Sequence, residues 1–215
     1  PTTVPAYNPN QPVDTYEEPE TMTPSGSDIT LEEALSGNNF TLTQLEERGW
    51  VLPSDTPISL WLKSFEGYSS QAQWDVAQNT NGFGTKATSS DETISIQEAQ
   101  NRLLARIEDD QKVVEEFGKE YDYTWTDNER EALGSFIFNG GEGFLKLVSG
   151  LFDYPRDEEG NVTSSNLIST GKPKRSKEEI AEMMLLYVNA GGEYLQGLAD
   201  RRELENALFT GKVTI

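Results

Sequence analysis

Residues 59–86 read SLWLKSFEGYSSQAQWDVAQNTNGFGTK, and this stretch decides the fold. It begins as an apolar run with helical spacing and closes with Glu66 and Gly67, and glycine commonly follows a helix C-terminus. A second carboxylate, Asp75, comes nine positions after the first, and Thr80 precedes a Gly-Phe-Gly turn. We predict a helix that ends at Glu66, followed by a short, turn-rich region that carries Asp75 on a strand or turn.

Two acids on different elements beside a tight turn are typical of glycoside hydrolysis, which needs a proton donor and a second carboxylate. Glu66 lies at the negative end of a helix dipole and among apolar neighbours, and both effects favour its protonated form. Asp75 has polar neighbours and is expected to be ionised, as in an acid/base pair. The alternative is that Glu66 is an ordinary helix-end residue and Asp75 an ordinary turn residue. Spacing alone favours this alternative, because short acid spacings recur by accident.

Composition excludes several classes of function. The chain has 215 residues without cysteine or histidine, which rules out disulfides, thiol nucleophiles, Ser-His catalysis and His-ligated zinc. A net charge of −20 argues against nucleic-acid binding. No apolar run is long enough to span a membrane, and the polar start carries no secretory signal. The acidic turn at residues 157–161 lacks the spacing of a calcium loop, so we predict no metal and no cofactor.

Changes in amino-acid composition along the chain predict that it has three parts. Residues 1–27 are acidic, hold six of the ten prolines and have no lysine or arginine, which predicts an extended arm. Residues 28–57 carry two short helices, capped by Ser27 or Asp28 and by Thr41, and are too small for a core of their own. Residues 58–212 hold the main domain.

Within the main domain, three capping boxes mark helix starts at Ser95, Thr126 and Ser176. The first helix has an apolar stripe that Asp109-Asp110 interrupts, so it is either one long helix or two. The third stripe runs to Val188, and a last helix covers about residues 198–208. A small turn-rich region followed by helices predicts an α+β fold with a ligand cleft between the two parts.

Four motifs in order resemble the phage-type lysozymes, the muramidase endolysin family. The first consists of Glu66-Gly67, Asp75 and Thr80 before the Gly-Phe-Gly turn. The others are, in order, Ile94–Ala99 with Leu103-Leu104, then Ala132–Gly141, then Ala190-Gly191-Gly192 with Gly197-Leu198, Arg201-Arg202, Glu205 and Leu208-Phe209. The resemblance covers about residues 58–212, and four collinear motifs are far more specific than one.

The resemblance implies a two-lobed lysozyme-like fold, with a small β-hairpin lobe and a mainly helical lobe. It implies cleavage of the β-1,4 bond between N-acetylmuramic acid and N-acetylglucosamine in peptidoglycan. Glu66 would protonate the leaving oxygen, while Asp75 and Thr80 position the attacking water, which is an inverting arrangement.

The same resemblance implies where the glycan is contacted. Phe138, Asn139 and Thr85 are expected to bind substrate along the cleft. Arg201 and Arg202 are expected to be structural, paired with acids such as Glu205.

Two classes of function remain open. The preferred hypothesis is a muramidase carried in a phage virion, with residues 1–50 attached to a tail or internal virion protein. A lysis endolysin in host cytoplasm is the variant within that class. The alternative is a structural virion protein that keeps a lysozyme fold without cleaving glycan. A lytic transglycosylase that uses Glu66 alone is a third possibility.

Overall fold

The computed structural model describes residues 31–36, 38–75, 78–158, 163–164, 166–190 and 193–213. The arm predicted for residues 1–27 and its adjoining cap lie outside these ranges. The described helices are α1 Leu31–Leu35, α2 Leu42–Glu47, α3 Pro57–Glu66, α4 Ile96–Tyr121, α5 Asp127–Gly140, α6 Gly143–Val148, α7 Lys177–Met184 and α8 Gln196–Phe209. The strands are β1 Ser69–Asp75, β2 Gln78–Gly82, β3 Thr85–Lys86, β4 Phe152–Asp153, β5 Ile168–Ser169, β6 Asn189–Ala190 and β7 Glu193–Tyr194.

Strands β1, β2 and β3 form an antiparallel sheet in that order, directly after α3. Asp75 pairs with Gln78 at the end of the β1–β2 hairpin, and Thr80 pairs with Gln73. The sheet is followed by helices with short two-stranded ribbons between them. The predicted α+β fold is therefore confirmed.

The long helix α4 connects two hydrophobic clusters. Its first half contributes Leu103 and Ile107 to the cluster around α3 and the sheet. Its second half contributes Val114 and Phe117 to the cluster around α5. The two clusters correspond to the two lobes, and α4 belongs to both.

No break occurs in α4 at Asp109-Asp110, where the sequence left one helix or two open. Asp110 is buried, and its Oδ2 accepts a hydrogen bond from Nε of Arg106 at 2.7 Å, one turn earlier. This pairing lets a carboxylate remain on the inner face of the helix. At the helix start, Ser95 caps the backbone N–H of Glu98 as predicted, but the Glu98 carboxylate pairs with Arg102.

Asp110 makes the stability of the fold depend on pH. Burial raises its pKa to about 6, against the opposing hydrogen bond and charge of Arg106, and the charges of Asp109 and Glu142 raise it further. A carboxyl whose pKa is higher in the folded state than in the unfolded state destabilises the fold when it is ionised. The contribution of Asp110 to the free energy of unfolding should therefore increase as pH falls from 7 towards 4.

We therefore expect Asp110→Asn to be more stable than the wild type at pH 7.5, by about 1–2 kcal/mol. The advantage should disappear near pH 4.5, where the wild-type carboxyl is already protonated. Urea unfolding of both proteins at the two pH values measures this difference. A difference that does not change with pH would contradict the assignment.

The segment before α3 is part of the folded body. Leu35 of α1 and Leu45 of α2 are fully buried. The ring of Trp50 contacts those of Phe40 and Phe83, with centroids 5.1 and 6.3 Å apart. The two predicted short helices are present, with Thr41 as the cap of α2.

The helical lobe differs from the sequence prediction in its connections. Helix α7 ends at Met184 instead of continuing to Val188. The chain turns there, with Leu186 N donating to Met183 O, and β6 and β7 pair as a short ribbon from Asn189 onward. Helix α6 was not predicted. Before α7, Arg175 is partly buried and donates to Asp153 Oδ2 and Leu147 O. In the part of the chain that the structure describes, no helix is long and apolar enough to cross a bilayer.

Candidate active site

Glu66 is the last residue of α3, as predicted. Gly67 follows with φ 66°, a left-handed conformation in which glycine is unstrained. The last carbonyls of the helix accept hydrogen bonds from the preceding segment, Ser64 O from Phe40 N at 3.0 Å and Phe65 O from Asn39 Nδ2 at 2.8 Å. The helix end that presents Glu66 is thus capped by residues outside the main domain predicted from sequence.

The Glu66 carboxylate lies between a buried cation and a glycine turn. Its Oε1 accepts a hydrogen bond from Nη1 of Arg201 at 2.6 Å, and the Arg201 side chain is only 4% exposed. On the other side, a Cβ added to Gly84 would lie 2.8 Å from Oε2. The Glu66 side chain is 22% exposed, so it is held on two sides and still reaches solvent. The helix end and the apolar neighbours of Glu66 were predicted from the sequence, but this cation, 135 residues away in the chain, was not.

A fully buried carboxylate, Glu205, holds the arginines of α8. It accepts hydrogen bonds from Arg201 Nε at 3.0 Å, from Ser135 Oγ at 2.7 Å, and from Arg202 Nη1. Burial alone would lower the pKa of Arg201, but the charges of Glu66 and Glu205 raise it, so Arg201 remains a cation. The predicted pairing of both arginines with Glu205 is confirmed, and Arg201 has the additional role of binding Glu66.

The hairpin places the other two predicted catalytic residues on adjacent strands. Asp75 is the last residue of β1, and the structure describes its backbone only. Thr80 lies on β2 and is partly exposed. Their roles and the separation of the two carboxyl groups therefore stay predictions.

The Gly-Phe-Gly turn is supported from beneath by a buried ion pair that sequence reasoning missed. Phe83 is fully buried, and Nζ of Lys63 lies 4.6 Å from the centre of its ring. Lys63 is also fully buried and donates to Trp50 O and to Asp55 Oδ2, both at 2.7 Å. Since Gly84 in the same turn approaches Glu66, the pair supports one wall of the site.

Asp55 has four hydrogen-bond donors around it. They are Lys63 Nζ, Leu52 N, Ser59 Oγ and Gln100 Nε2. Burial alone would raise the pKa of Asp55, but these contacts, chiefly the hydrogen bond from Lys63, lower it below its usual value. For Lys63, burial has a larger effect than the hydrogen bond and charge of Asp55, so its pKa is lowered. The segment at residues 50–56, α3 and α4 are thereby joined at one point.

The predicted substrate contacts have different surroundings. Phe138 is partly buried, with the guanidinium carbon of Arg106 5.2 Å from its ring centre. Asn139 is exposed, and its Oδ1 accepts a hydrogen bond from Arg202. Thr85 is only 5% exposed, and its hydroxyl donates to Asn81 O at 3.2 Å. Burial favours a supporting role for Thr85, and its contact with substrate stays a prediction.

The structure thus brings α3, α5 and α8 together around one network of four charges. Arg201 donates to Glu66 and to Glu205. Arg202 donates to Glu205 and to Asn139 on α5. Within the described ranges, no three Asp or Glu side chains converge as ligands for a metal ion. The arrangement suits acid-base chemistry by a carboxyl group.

Comparison with known families decides the relationship. The family model for phage lysozyme matches residues 63–205. The chain belongs to the phage lysozyme family. Membership in this family supports the assignment of the chain as a glycoside hydrolase that acts on peptidoglycan. The matched range includes Glu66, Asp75, Thr80, Asn139 and the two arginines of α8. No sequence among curated proteins matches this phage lysozyme significantly.

Solved structures show the same fold at low sequence identity. The active form of the P1 phage endolysin Lyz matches with 20% identity and a TM-score of 0.54, over 88% of this chain and 99% of that one. The muramidase domain of SpmX from Asticaccaulis excentricus matches with 22% identity and a TM-score of 0.51, over 72% and 95%. The endolysin from Escherichia coli O157:H7 phage FAHEc1 matches with 24% identity and a TM-score of 0.51, over 76% and 97%.

Proposed function

We propose that this phage lysozyme is a muramidase that hydrolyses the β-1,4 bond between N-acetylmuramic acid and N-acetylglucosamine. The observation that supports it most is the Glu66 carboxylate, held by Arg201 and by the turn at Gly84 but still open to solvent. A proton donor must have one fixed position relative to the bond that breaks, because proton transfer needs hydrogen-bond distance.

In the proposed mechanism, Glu66 protonates the glycosidic oxygen as the bond to the anomeric carbon breaks. Asp75 and Thr80, on the hairpin that follows, position a water that attacks the opposite face of the sugar. Inversion requires about 6.5–9.5 Å between the two carboxyl groups, which leaves room for that water. Phe138 and Asn139 contact the glycan from α5.

The products of peptidoglycan digestion test this mechanism. We expect purified protein to release fragments with reducing N-acetylmuramic acid ends, and in a first turnover the new anomeric centre should be inverted. Anhydro-muramic acid ends would instead indicate a lytic transglycosylase. No release at any of several salt concentrations would support the alternative, a structural virion protein that retains the fold.

We also propose that the enzyme is phage-encoded and carried in the virion for entry through the cell wall, with a lysis endolysin in the host cytoplasm as the other possibility. The acidic, proline-rich composition of residues 1–27 supports an attachment segment, because such a segment lacks the apolar surface to fold alone. The acidic charge of the whole chain also disfavours unaided binding to anionic cell walls.

Deleting residues 1–30 tests the attachment role, because it leaves every described contact of the folded body in place. We expect the truncated protein to cleave soluble glycan at the wild-type rate and to be missing from purified phage particles. Truncated protein that is still found in particles would contradict the attachment role. Wild-type protein that is absent from particles would favour the endolysin.

A further inference from the structure

Asn139 at the end of α5 has its amide oxygen occupied. Oδ1 accepts a hydrogen bond from Nη2 of Arg202, a side chain that is only 1% exposed. The same guanidinium donates from Nε to Tyr187 O at 3.1 Å and from Nη1 to Glu205 Oε2. Three partners therefore hold Arg202 in one orientation.

This contact determines which way the amide of Asn139 points. A guanidinium has donors and no acceptor, so only the oxygen of an amide can face it. The ambiguity that usually affects the two ends of an asparagine side chain is absent here. Asn139 is exposed, and in the described part of the chain no acceptor binds its Nδ2. The NH₂ group is directed away from Arg202, with hydrogen-bond donors free.

The buried network relates this donor to Glu66. Ser135 and Asn139 lie four residues apart on α5 and so share one face of the helix. Ser135 donates to Glu205 Oε1 and, through its backbone oxygen, accepts from Arg201 Nη2 at 3.1 Å. Arg201 binds Glu66, and Arg202 binds Asn139. A single buried carboxylate, Glu205, therefore sets the positions of both groups.

We propose that Arg202 is a positioning residue that fixes Asn139 as a hydrogen-bond donor to a neutral oxygen acceptor of the glycan. The acceptor is an acetamido carbonyl or a sugar hydroxyl. This inference rests on the proposed muramidase function. It adds that the subsite formed by Asn139 binds a hydrogen-bond acceptor of the glycan and excludes a hydrogen-bond donor.

Asn139→Asp tests the donor with the smallest possible change. An aspartate keeps an oxygen towards Arg202 and replaces the NH₂ group with a second acceptor. Leaving the acceptor on the sugar unpaired should raise KM about tenfold, with kcat nearly unchanged. Thermal unfolding should occur at or above the wild-type temperature, because the contact with Arg202 gains an opposite charge.

The added charge needs its own control. Asn166→Asp makes the same change on an exposed loop and should leave KM unchanged. Repulsion between the new carboxylate and an anionic wall would be screened at high salt, whereas loss of the donor would persist. Partly de-N-acetylated glycan distinguishes the acceptors. If Asn139→Asp loses its disadvantage on that substrate, the acceptor is the acetamido carbonyl. If the disadvantage persists, the acceptor is a hydroxyl.

Arg202→Lys tests the positioning role. A lysine keeps the charge near Glu205 but lacks the planar fork that binds three partners, so the Asn139 amide can rotate. We expect KM to rise about threefold in the wild-type background and not at all in the Asn139→Asp background, because the two changes act through one contact. A merely structural role would lower stability and leave KM unchanged in both backgrounds.

An active wild type whose KM is unaffected by Asn139→Asp would overturn this inference and leave the muramidase function standing. A wild type that releases no glycan product would overturn the proposed function. The dissociation constant for N-acetylglucosamine oligomers, measured by calorimetry, would then decide the donor role. An unchanged constant in Asn139→Asp would overturn it.

Discussion

Glu66→Gln is expected to reduce peptidoglycan cleavage by about 10³-fold or more, the effect of removing a general acid. Glutamine has the same shape and keeps an oxygen that accepts from Arg201 Nη1, so it fits between Arg201 and Gly84. Its amide group has no acidic proton to transfer to the leaving oxygen. Release of reducing ends from purified peptidoglycan measures the rate. The unfolding temperature, measured by calorimetry, should shift by only a few degrees, which corresponds to about 1 kcal/mol or less in the free energy of unfolding.

The matched control is Glu116→Gln, which makes the same change at an exposed position of α4. It should leave both the rate and the unfolding temperature unchanged. Full activity in Glu66→Gln would show that the proton donor is another group. Loss of activity together with a large loss of stability would show only that Glu66 is needed for folding, and the proton-donor assignment would then lack support.

The second large effect is expected from the ion pair beneath the Gly-Phe-Gly turn. Asp55→Ala removes the partner of Lys63, whose side chain is fully buried, 2.7 Å from Asp55 Oδ2. An uncompensated buried charge destabilises a fold by about 3–5 kcal/mol. We expect the free energy of unfolding in urea at pH 7 to fall by that amount. Glycan cleavage should fall too, because the turn above Lys63 carries Gly84 against Glu66.

The effect of Asp55→Ala should depend on pH in a defined direction. The pKa of Asp55 is lowered in the folded state, so its ionised form adds stability above the unfolded pKa of about 3.9. That contribution is lost as pH falls through the lower folded value. The difference between variant and wild type should therefore be full at pH 7 and should shrink below about pH 4.

Two controls separate the pair from the loss of a side chain. The double variant Asp55→Leu/Lys63→Met removes both charges and should recover most of the lost stability, because apolar residues of similar volume often replace buried pairs. Glu108→Ala breaks an exposed pair with Lys112 on α4 and should change stability by less than about 1 kcal/mol. A double variant as unstable as Asp55→Ala would show that the charge of Lys63 is not the cause.

Much of the fold could be predicted because its signals are local. The hydroxyls of Thr126 and Ser176 accept from the backbone three residues later, so these helix starts depend on neighbours in sequence alone. The end of α3 at Gly67 has the same character. Helix α7 was predicted too long because its apolar pattern continues past Met184, where the chain turns and leads into the β6–β7 ribbon. Periodicity cannot distinguish these two outcomes.

The sequence by itself determined the identity of Glu66, Asp75 and Thr80 as candidates, the order of the elements and the absence of histidine or cysteine chemistry. Only the tertiary structure decided what surrounds them. Arg201 lies 135 residues from Glu66, and Arg202 lies 63 residues from Asn139. Contacts at such separations leave no periodic trace, because they depend on how α3, α5 and α8 pack. The physical reason is that a cap is made by a few adjacent residues, whereas a buried charge network exists only once the core has assembled around it.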